Sequence, residues 1–544
     1  MRRLNKWAAL LLWCLPAFGT VRNVQTYGAT GNGITNDSAA INSAIAALLP
    51  GDTLLFPCGA AGIYAVNATF TVAVNNVTVQ GSTGCGGGQV QIQGTNASGY
   101  LLSAGHGGVT SSTPLLGDAA VGDTSFTASV SALGGVAVGD FILLQEGGVD
   151  FSTDTAPGHP TQCDISGCRG EVLQVASVVG NTIGVTTSLH YLYNVAVNAA
   201  NAEKLTSVTS GMTIENLTVN GTGAMSSGLG IFGLVNSTVF NVLSTNFANG
   251  AVGGEYAFYD IFSSGTITLA GSHAACAVDL GESGHGTFTN VSLSGLNTNS
   301  PTGFVFGFCV NTTADNTGTN VDANMTGSGP VPGRAIKFTA ASFGVWTNLS
   351  AEGASGDNNG LNLAYYSSSN TFVNGSFTNN GNSGVETFGN YNQNNTFSGM
   401  ACSSNLDVCL SQGVSALGNA NDDNLTISGG VLQQAGAFGT VQVRSNNFYL
   451  HGATVGISGA AGVDFLVTTS GVCINSNVFV AGMTYAYAAN SSTGFANSNT
   501  LNGNTTPGGA LPTGACGTTP PAGNPGAPAR AMFASVKNGS YQHF

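Results

Sequence analysis

Short apolar and polar alternations recur about every 20 to 30 residues from Met212 onward. Each repeat opens with an Asn- or Gly-led phrase that carries an aromatic or branched residue at its centre, and a second phrase of the type Gly-apolar-x-apolar follows. No stretch between the phrases has a helical period of apolar residues. Such a pattern predicts two or three short β-strands per repeat, separated by turns. The opening phrases begin at Asn236, Gly286, Asn370, Asn395, Asn424, Asn446 and Asn477.

Repeats of this length, without helices, are typical of the coils of a β-solenoid. We therefore predict an all-β fold, a single-stranded right-handed parallel β-helix. In such a fold, equivalent residues of successive coils lie about 4.8 Å apart. Rows of Asn can then hydrogen-bond to their copies above and below, which gives the abundant Asn a structural reason.

The N-terminal region is predicted to close the open end of this helix. Residues 38–49 fit an amphipathic α-helix with Ile41, Ile45 and Leu48 on one face, and Asn36 and Asp37 precede it as capping residues. The first coils are predicted at residues 53–56, 77–80 and 90–93. A capping helix of this kind covers the strand edge that a solenoid would otherwise expose.

The chain divides into five segments. Residues 1–19 combine a basic start, a short apolar run and small residues, which predicts a secretory signal peptide. Residues 20–102 form the cap and first coils, and residues 103–205 break the rhythm with longer alternating strands, a small all-β insertion. Residues 206–502 form the main parallel β-helix. Residues 503–544 are a tail rich in Pro, Gly and Thr.

The composition of the chain limits the classes of ligand that it can bind. Only 7% of the residues are charged and the formal net charge is −14. Nucleic acid is excluded because phosphate binding requires clustered Lys and Arg. An acidic chain also repels a polyanion, so a neutral or weakly charged ligand is favoured. No stretch is long and apolar enough for a membrane-spanning helix.

Cysteine usage agrees with export. Of 11 cysteines, Cys14 falls in the predicted signal peptide, and the even number that remains suits disulfides in an oxidising compartment. Proximity along the chain suggests a pairing, although connectivity cannot be deduced from sequence. The suggested pairs are Cys58–Cys85, Cys163–Cys168, Cys276–Cys309, Cys402–Cys409 and Cys473–Cys516.

The N-terminal phrase Tyr27-Gly-Ala-Thr-Gly31-Asn-Gly33, together with Asp37 and Ile41, resembles the start of the pectate-lyase-superfamily β-helices. That superfamily includes rhamnogalacturonases, epimerase-like proteins and phage tailspikes. The phrase Phe56-Pro57, followed by Gly62-Ile-Tyr64, is similar to the segment that comes next in these proteins. The resemblance implies the fold and a carbohydrate ligand. It leaves the reaction open, since members hydrolyse, eliminate, epimerise or only bind glycans.

Aligning the second strand of each coil places one residue per coil outward, in a column where ionisable residues collect. Glu386 and Asp407 are 21 residues apart, and in register their carboxyl groups would lie about 5 Å apart. That separation suits a retaining glycosidase. Lys337, Asn362, Tyr365 and Gln442 are the candidate substrate-binding residues. The predicted column comprises Asp279, Lys337, Asn362, Glu386, Asp407, Gln442 and Asp464.

A second candidate cluster is Asp279, Glu282 and His285, because carboxylates beside an imidazole can exchange protons with a substrate. For both sets the alternative interpretation is an ordinary solvated surface or a polar turn. No metal site is predicted, because no CxxC pair occurs.

The leading hypothesis is an exported glycoside hydrolase that cleaves a polysaccharide by carboxylate acid and base catalysis, without a cofactor. A polysaccharide lyase or epimerase is the first alternative, and it would bring in Ca²⁺ to neutralise a uronate. The second alternative is a surface protein that binds glycans without cleaving them. The sugar, the linkage and the oligomeric state stay open.

Overall fold

The structure is a computed structural model. It describes residues 19–85, 88–95, 99–146, 169–222, 227–247, 250–258, 260–263, 265–268, 276–281, 283–294, 305–324, 333–353, 359–364, 367–388, 392–412, 424–433, 439–514 and 516. Residues 1–18, which hold most of the predicted signal peptide, and residues 517–544 of the predicted tail lie outside the described residues.

Two long parallel sheets run along the molecule and form the wall of a solenoid. In the described part of the chain, sheet 1 has 25 strands and sheet 2 has 13. The strands of sheet 1 are Val21–Asn23, Asn32–Asn36, Thr53–Phe56, Ile63–Val66, Thr78–Gly81, Val90–Gly94, Thr213–Asn220, Thr238–Thr245, Ile261–Ser263, Thr266–Thr268, Thr287–Ser294, Thr317–Asn324, Val345–Thr347, Ser350–Glu352, Thr371–Val373, Ser376–Thr378, Thr396–Ser398, Ala401–Ser403, Thr426–Ser428, Val431–Leu432, Tyr449–His451, Thr454–Val455, Val472–Asn475, Val478–Phe479 and Gly494–Asn497.

Sheet 2 contributes one strand to each coil. Its strands are Phe70–Val72, Tyr100–Ala104, Ser227–Phe232, Gly250–Glu255, Cys276–Gly281, Val305–Ala314, Gly333–Ser342, Asn359–Ala364, Val385–Phe388, Leu410–Gln412, Val441–Val443, Ala461–Phe465 and Tyr485–Ala488.

The core lies inside the coils, where one residue type stacks on its counterpart in the next coil. Phe372 and Phe397 stack with ring centroids 4.8 Å apart, and Trp346 is fully enclosed among Phe288 and Phe338. Stacking of the coils lets the backbone of each inner strand form hydrogen bonds with the strands above and below it, and it buries one face of each strand. Apolar residues at alternate positions are therefore enough to specify these strands. The predicted fold class, a parallel β-helix, is confirmed.

An asparagine row runs along sheet 1, with Asn290 and Asn320 inside the strands Thr287–Ser294 and Thr317–Asn324 and Asn348 in the turn between Val345–Thr347 and Ser350–Glu352. Asn320 donates from Nδ2 to Oδ1 of Asn290, and Asn348 donates to Oδ1 of Asn320, both at 2.8 Å. All three residues have a left-handed backbone, with φ between 53° and 55°. Asn tolerates that conformation better than most residues, and its amide also joins the coils.

A helix from Ser38 to Ala46 covers the N-terminal end of the solenoid, and its own residues Ile41 and Ala44 are buried in the core. The predicted helix extended to residue 49, beyond its end here. Asp37 does not cap the helix with its side chain. Its carboxylate instead accepts from the backbone N–H groups of Thr30 and Gly31, at 2.7 and 3.1 Å, and so ties the preceding turn to the helix.

A seven-stranded antiparallel sheet interrupts the solenoid between Ala104 and Thr209. We call it the insertion. It has its own buried cluster, which includes Leu144, Leu173 and Tyr193. Its strands are Gly108–Val109, Thr113–Pro114, Ser125–Thr127, Phe141–Glu146, Arg169–Val179, Thr182–Val185 and Asn201–Thr206, and a short helix spans Val195–Asn198. Two smaller elements lie outside these groups, a 3-10 helix at Val24–Tyr27 and a strand pair at Thr209–Ser210 and Leu234–Val235.

Three of the predicted disulfides are confirmed, Cys58–Cys85, Cys402–Cys409 and Cys473–Cys516, with Cα atoms 5.1, 5.7 and 5.7 Å apart. Cys309 is also disulfide-bonded. The predicted Cys163–Cys168 pair and the side chain of Cys276 lie outside the described residues. Within the described ranges, no helix has the length and apolar character needed to cross a membrane.

Candidate functional site

The outward face of sheet 2 carries a column of residues held in register by parallel pairing. We call it the outer column. Neighbouring positions are about 4.8 Å apart, because each belongs to the next coil. Its members, in order, are Asp279, Cys309, Lys337, Asn362, Glu386, Ser411, Gln442 and Asp464.

The outward direction follows from the residues beside the column. Leu361 and Leu363 flank Asn362 and are fully buried, as is Val385 before Glu386. In a strand, successive side chains point to opposite faces, so the residue between two core residues faces outward. Six of the seven positions expected from the sequence therefore lie in one column.

Glu386 is held by two amides at the centre of this column. Asn359 and Asn362 both donate from Nδ2 to its Oε2, at 2.5 and 2.7 Å. Asn362 is fully buried, and its Oδ1 finds no hydrogen-bond partner among the described residues. A buried acceptor without a partner costs about 1–3 kcal/mol.

The expected pair of Glu386 and Asp407 does not form in register. Ser411 occupies the position beside Glu386. Asp407 lies in the turn before the strand Leu410–Gln412, where its backbone N–H donates to the carbonyl of Asn382 at 3.1 Å. Asp407 comes four residues before Ser411, which is the residue of this coil in the outer column. Burial raises the pKa of Asp407.

This error in the sequence prediction has a simple cause. The segment Leu406-Asp-Val408 shows the same apolar-x-apolar pattern as a strand, but Leu406 is exposed and the strand begins at Leu410. The next described carboxylate in the outer column is Asp464, three coils away from Glu386, or about 14 Å. Retaining and inverting glycosidases need about 5–5.5 Å and 6.5–9.5 Å respectively, so the column by itself holds neither pair.

The other predicted substrate-binding residues have different outcomes. Lys337 and Gln442 occupy the column and are half-buried, and Ser411 Oγ donates to Gln442 Oε1 at 3.3 Å. Tyr365 lies outside the described residues. In the second predicted cluster, Glu282 and the side chain of Asp279 also lie outside them.

An aromatic pair that the sequence prediction missed covers the N-terminal part of the same face. Tyr100 and Phe232 meet edge to face, with ring centroids 5.2 Å apart. The Tyr100 ring lies over Gly230 and Gly253, which belong to two successive coils. These glycines occupy the two register positions that come before Asp279 in the outer column. A Cβ at Gly253 would lie 2.1 Å from the Tyr100 hydroxyl, so only glycine leaves room for the ring.

His285, from the second predicted cluster, lies where the insertion meets the solenoid, and there it joins three groups that the sequence did not single out. Its Nδ1 is 3.5 Å from Oδ2 of Asp315, and the same oxygen is 3.2 Å from Nε2 of His190. His190 Nδ1 lies 2.9 Å from Oε2 of Glu171. We call Glu171, His190, Asp315 and His285 the junction cluster.

The two solenoid members of this cluster occupy the same turn in successive coils. His285 and Asp315 have left-handed backbones, with φ of 54° and 60°, and Phe343 follows them in the next coil with φ of 59°. Each donates its backbone N–H to the coil beyond, His285 to Ala314 and Asp315 to Ser342. The stacking places an imidazole directly beside a carboxylate.

Electrostatics separate the two imidazoles. For His190, burial lowers the pKa, but the hydrogen bond to Glu171 and the charges of Glu171 and Asp315 outweigh it, so the pKa is raised. For His285, burial outweighs the attraction of Asp315 and lowers the pKa. Burial raises the pKa of Asp315 against the effect of both imidazoles. In the described part of the chain, no group of three or more His, Cys, Asp or Glu is placed to hold a metal ion.

The stacked coils, the N-terminal cap and the polar outer face are those of the pectin-lyase-like class of parallel β-helix proteins. Within that class, the family described as rhamnogalacturonase A/epimerase, pectate lyase-like, matches residues 21–130. This match covers the cap, the first coils and the start of the insertion, and it confirms the resemblance seen in the N-terminal phrase. No curated protein matches the sequence at a significant level.

Solved structures are similar to this chain at low sequence identity. The tailspike protein gp49 from Pseudomonas phage LKA1 is 15% identical, with 88% of this chain and 81% of that chain covered and a TM-score of 0.54. The Pseudomonas phage phi297 tailspike gp61 is 12% identical, over 88% and 80%, with a TM-score of 0.46. The A-module of the Azotobacter vinelandii mannuronan C-5 epimerase AlgE6 is 14% identical, over 91% and 99%, with a TM-score of 0.36.

Proposed function

We propose that this chain is an exported, carbohydrate-active protein that binds an extended polysaccharide along the outer column. The observation that carries the proposal is the register itself, which presents Lys337, Glu386, Ser411, Gln442 and Asp464 at positions set by a constant rung spacing on one face, with the buried Asn362 between Lys337 and Glu386. A repeating ligand can meet equivalent polar groups at each step. The family matched by the N-terminal region is named for carbohydrate-active enzymes.

The side chains of the column suit sugar hydroxyls. Amides, a hydroxyl and carboxylates donate and accept hydrogen bonds without requiring a charged ligand. Tyr100 and Phe232 add an aromatic surface farther along the same face, and aromatic rings bind the apolar faces of sugar rings. With a formal net charge of −14, the chain favours a neutral or weakly charged glycan over a polyuronate.

Binding is tested by calorimetric titration of the full chain with a panel of neutral and acidic polysaccharides. Lys337→Met and Gln442→Ala should each weaken binding about tenfold, the loss expected for one or two hydrogen bonds. Thr319→Ala is the matched control, because Thr319 is exposed on sheet 1. Equal loss for Thr319→Ala, or no binding to any polysaccharide by the wild type, would refute the proposal.

Hydrolysis at Glu386 is the second candidate function. The observation that favours it is the position of Glu386, a carboxylate in the middle of the column with two amides directed at one of its oxygens. The second carboxylate would have to come from outside the column, since Asp464 lies too far away. Release of reducing sugar by the wild type, lost in Glu386→Gln, would support hydrolysis. Appearance of an unsaturated uronate instead would assign a lyase.

A further inference from the structure

The insertion is attached to the side of the solenoid by an apolar patch and by the junction cluster. Phe141 of the insertion stacks on Phe258 of the solenoid with ring centroids 6.5 Å apart, and Val172 belongs to the same buried cluster. The ring of His190 packs against Phe343 at 4.7 Å. Polar contacts of the junction cluster therefore lie next to an apolar contact that excludes water.

The four polar side chains form one continuous chain across this interface. Glu171 and His190 belong to the insertion, whereas Asp315 and His285 belong to two coils of the solenoid. Glu171 also accepts from the backbone N–H of His190 and from the hydroxyl of Tyr193, both at 3.1 Å from Oε1. Acid and imidazole groups alternate along this chain of contacts, which runs from the insertion to the solenoid.

Both nitrogens of His190 face protein carboxylates, and the ring of His285 contacts Asp315 and hydrogen-bonds to the backbone of Val172. The imidazoles are therefore directed at the interface. This arrangement fits a role in joining the two modules better than contact with a substrate.

We propose that the junction cluster is a pH-responsive latch that holds the insertion against the solenoid. The bridge between His190 and Asp315 crosses the interface, and its strength depends on the protons that the cluster carries. The proposal is independent of the ligand of the outer column.

The sign of the pH dependence follows from the two histidines. Glu171, within the insertion, and Asp315, across the interface, both raise the pKa of His190, and of these two effects only the attraction of Asp315 is gained on docking. That attraction contributes fully to docking while His190 is protonated, and it is lost as the pH rises through the docked pKa of His190.

His285 acts in the opposite direction. Burial and the charge of His190 across the interface lower its pKa, so docking opposes its protonation and weakens as the pH falls through the range in which an undocked His285 takes up a proton. The other groups that face these rings are Glu171, Asp315 and the phenol of Tyr193. Asp315, whose pKa is raised, takes up a proton on docking at still lower pH and offsets part of the acidic loss. Docking is therefore tightest at an intermediate pH, where His190 is protonated and His285 is neutral, and it weakens on both sides.

Hydrogen exchange of the full chain, read by mass spectrometry from pH 5 to 9 and corrected for intrinsic rates, tests the latch. Peptides spanning residues 186–194 and 313–318 should show maximal protection at an intermediate pH within this range and several-fold less at either end. Protection of core peptides such as residues 335–341 should not follow this profile. A flat profile at the junction would overturn the proposal.

Two variants separate the two limbs of the protection profile, the alkaline limb, where protection falls as the pH rises, and the acidic limb, where protection falls as the pH drops. His190→Gln should remove the alkaline limb. His285→Asn, which suits the left-handed backbone, should remove the acidic one. Unchanged profiles in both variants would also overturn the latch. Should either variant fail to fold by circular dichroism, nuclear magnetic resonance titration of the wild-type histidines decides. The latch requires one junction imidazole to titrate above about 6.5 and the other below it.

Discussion

The buried carboxyl group of Asp260 accepts a hydrogen bond from the backbone N–H of Ser237, at 2.8 Å from Oδ1. In later coils the same inner position is held by asparagine. Asn316 accepts from Gly286 N–H, and Asn370 accepts from Gly344 N–H, both at 2.9 Å. Asp260 thus stands in an asparagine row as an acid. Burial raises its pKa well above the ordinary value.

Asp260→Asn should stabilise the protein at neutral pH. An unfolded Asp260 loses its proton above about pH 4, whereas burial makes the folded protein lose it only at a higher pH, so the acid opposes folding as the pH rises above about 4. Oδ2 also lacks a partner among the described residues. We expect a gain of about 1–3 kcal/mol at pH 7.5, the usual range for a buried polar group left unpaired. Denaturant unfolding at pH 7.5 and at pH 4 measures it.

The gain should be smaller at pH 4, where the unfolded acid is about half protonated and its ionisation opposes folding much less. Asn370→Asp is the matched inverse change, since it places an acid at the equivalent position, and it should destabilise the protein more at pH 7.5 than at pH 4. Equal effects of Asp260→Asn at the two pH values would show that ionisation is not the cause.

Gly253→Ala should disturb the aromatic surface without removing it. The new Cβ would meet the Tyr100 ring at 2.1 to 3.0 Å, so the ring must leave its place on the sheet. We expect polysaccharide binding to fall about as much as in Tyr100→Ala, and Tyr100→Phe to retain most of it. Calorimetric titration gives the affinities.

Gly88→Ala is the control for this change, because a Cβ there would meet nothing within 4 Å. Binding by Gly253→Ala at the wild-type level, with Tyr100→Ala impaired, would mean that the ring can move and still bind.

Glu386→Gln and Asp407→Asn should differ in their effect on any glycan-cleaving activity. Glu386 lies in the outer column, whereas Asp407 lies in a turn four residues out of register. Reducing-sugar assays should therefore show a large loss for Glu386→Gln and wild-type activity for Asp407→Asn. An equal loss in both variants would indicate that Asp407 acts in catalysis together with Glu386, contrary to what the strand register indicates.

Gly318→Ala should destabilise the solenoid core. Gly318 pairs in register with Trp346, and a Cβ at this position would lie 2.2 Å from the Trp346 ring. Overpacking of a close-packed core costs about 1–3 kcal/mol. Thermal unfolding should show a lower midpoint for Gly318→Ala, while Gly88→Ala should unfold like the wild type. A wild-type midpoint for Gly318→Ala would mean that the core adapts to the added methyl group.

The fold class, the capping helix, the first coils and three disulfides could be predicted from the sequence. These features depend on local patterns. Alternation decides which side of a strand is buried, and the repeat length decides that strands stack on their copies. The outer column followed from the same alternation, so six of its seven predicted positions are in register.

Only the tertiary structure decided three further features, namely the register at Ser411, the place of Tyr100 over Gly253 and the meeting of His190 with Asp315. Coils differ in length, so an apolar-x-apolar pattern in a turn can imitate a strand, as at Asp407. His190 and Asp315 are 125 residues apart in the chain, and their contact depends on how the insertion docks. No local pattern encodes such a contact, because it arises from packing between modules that fold from separate segments.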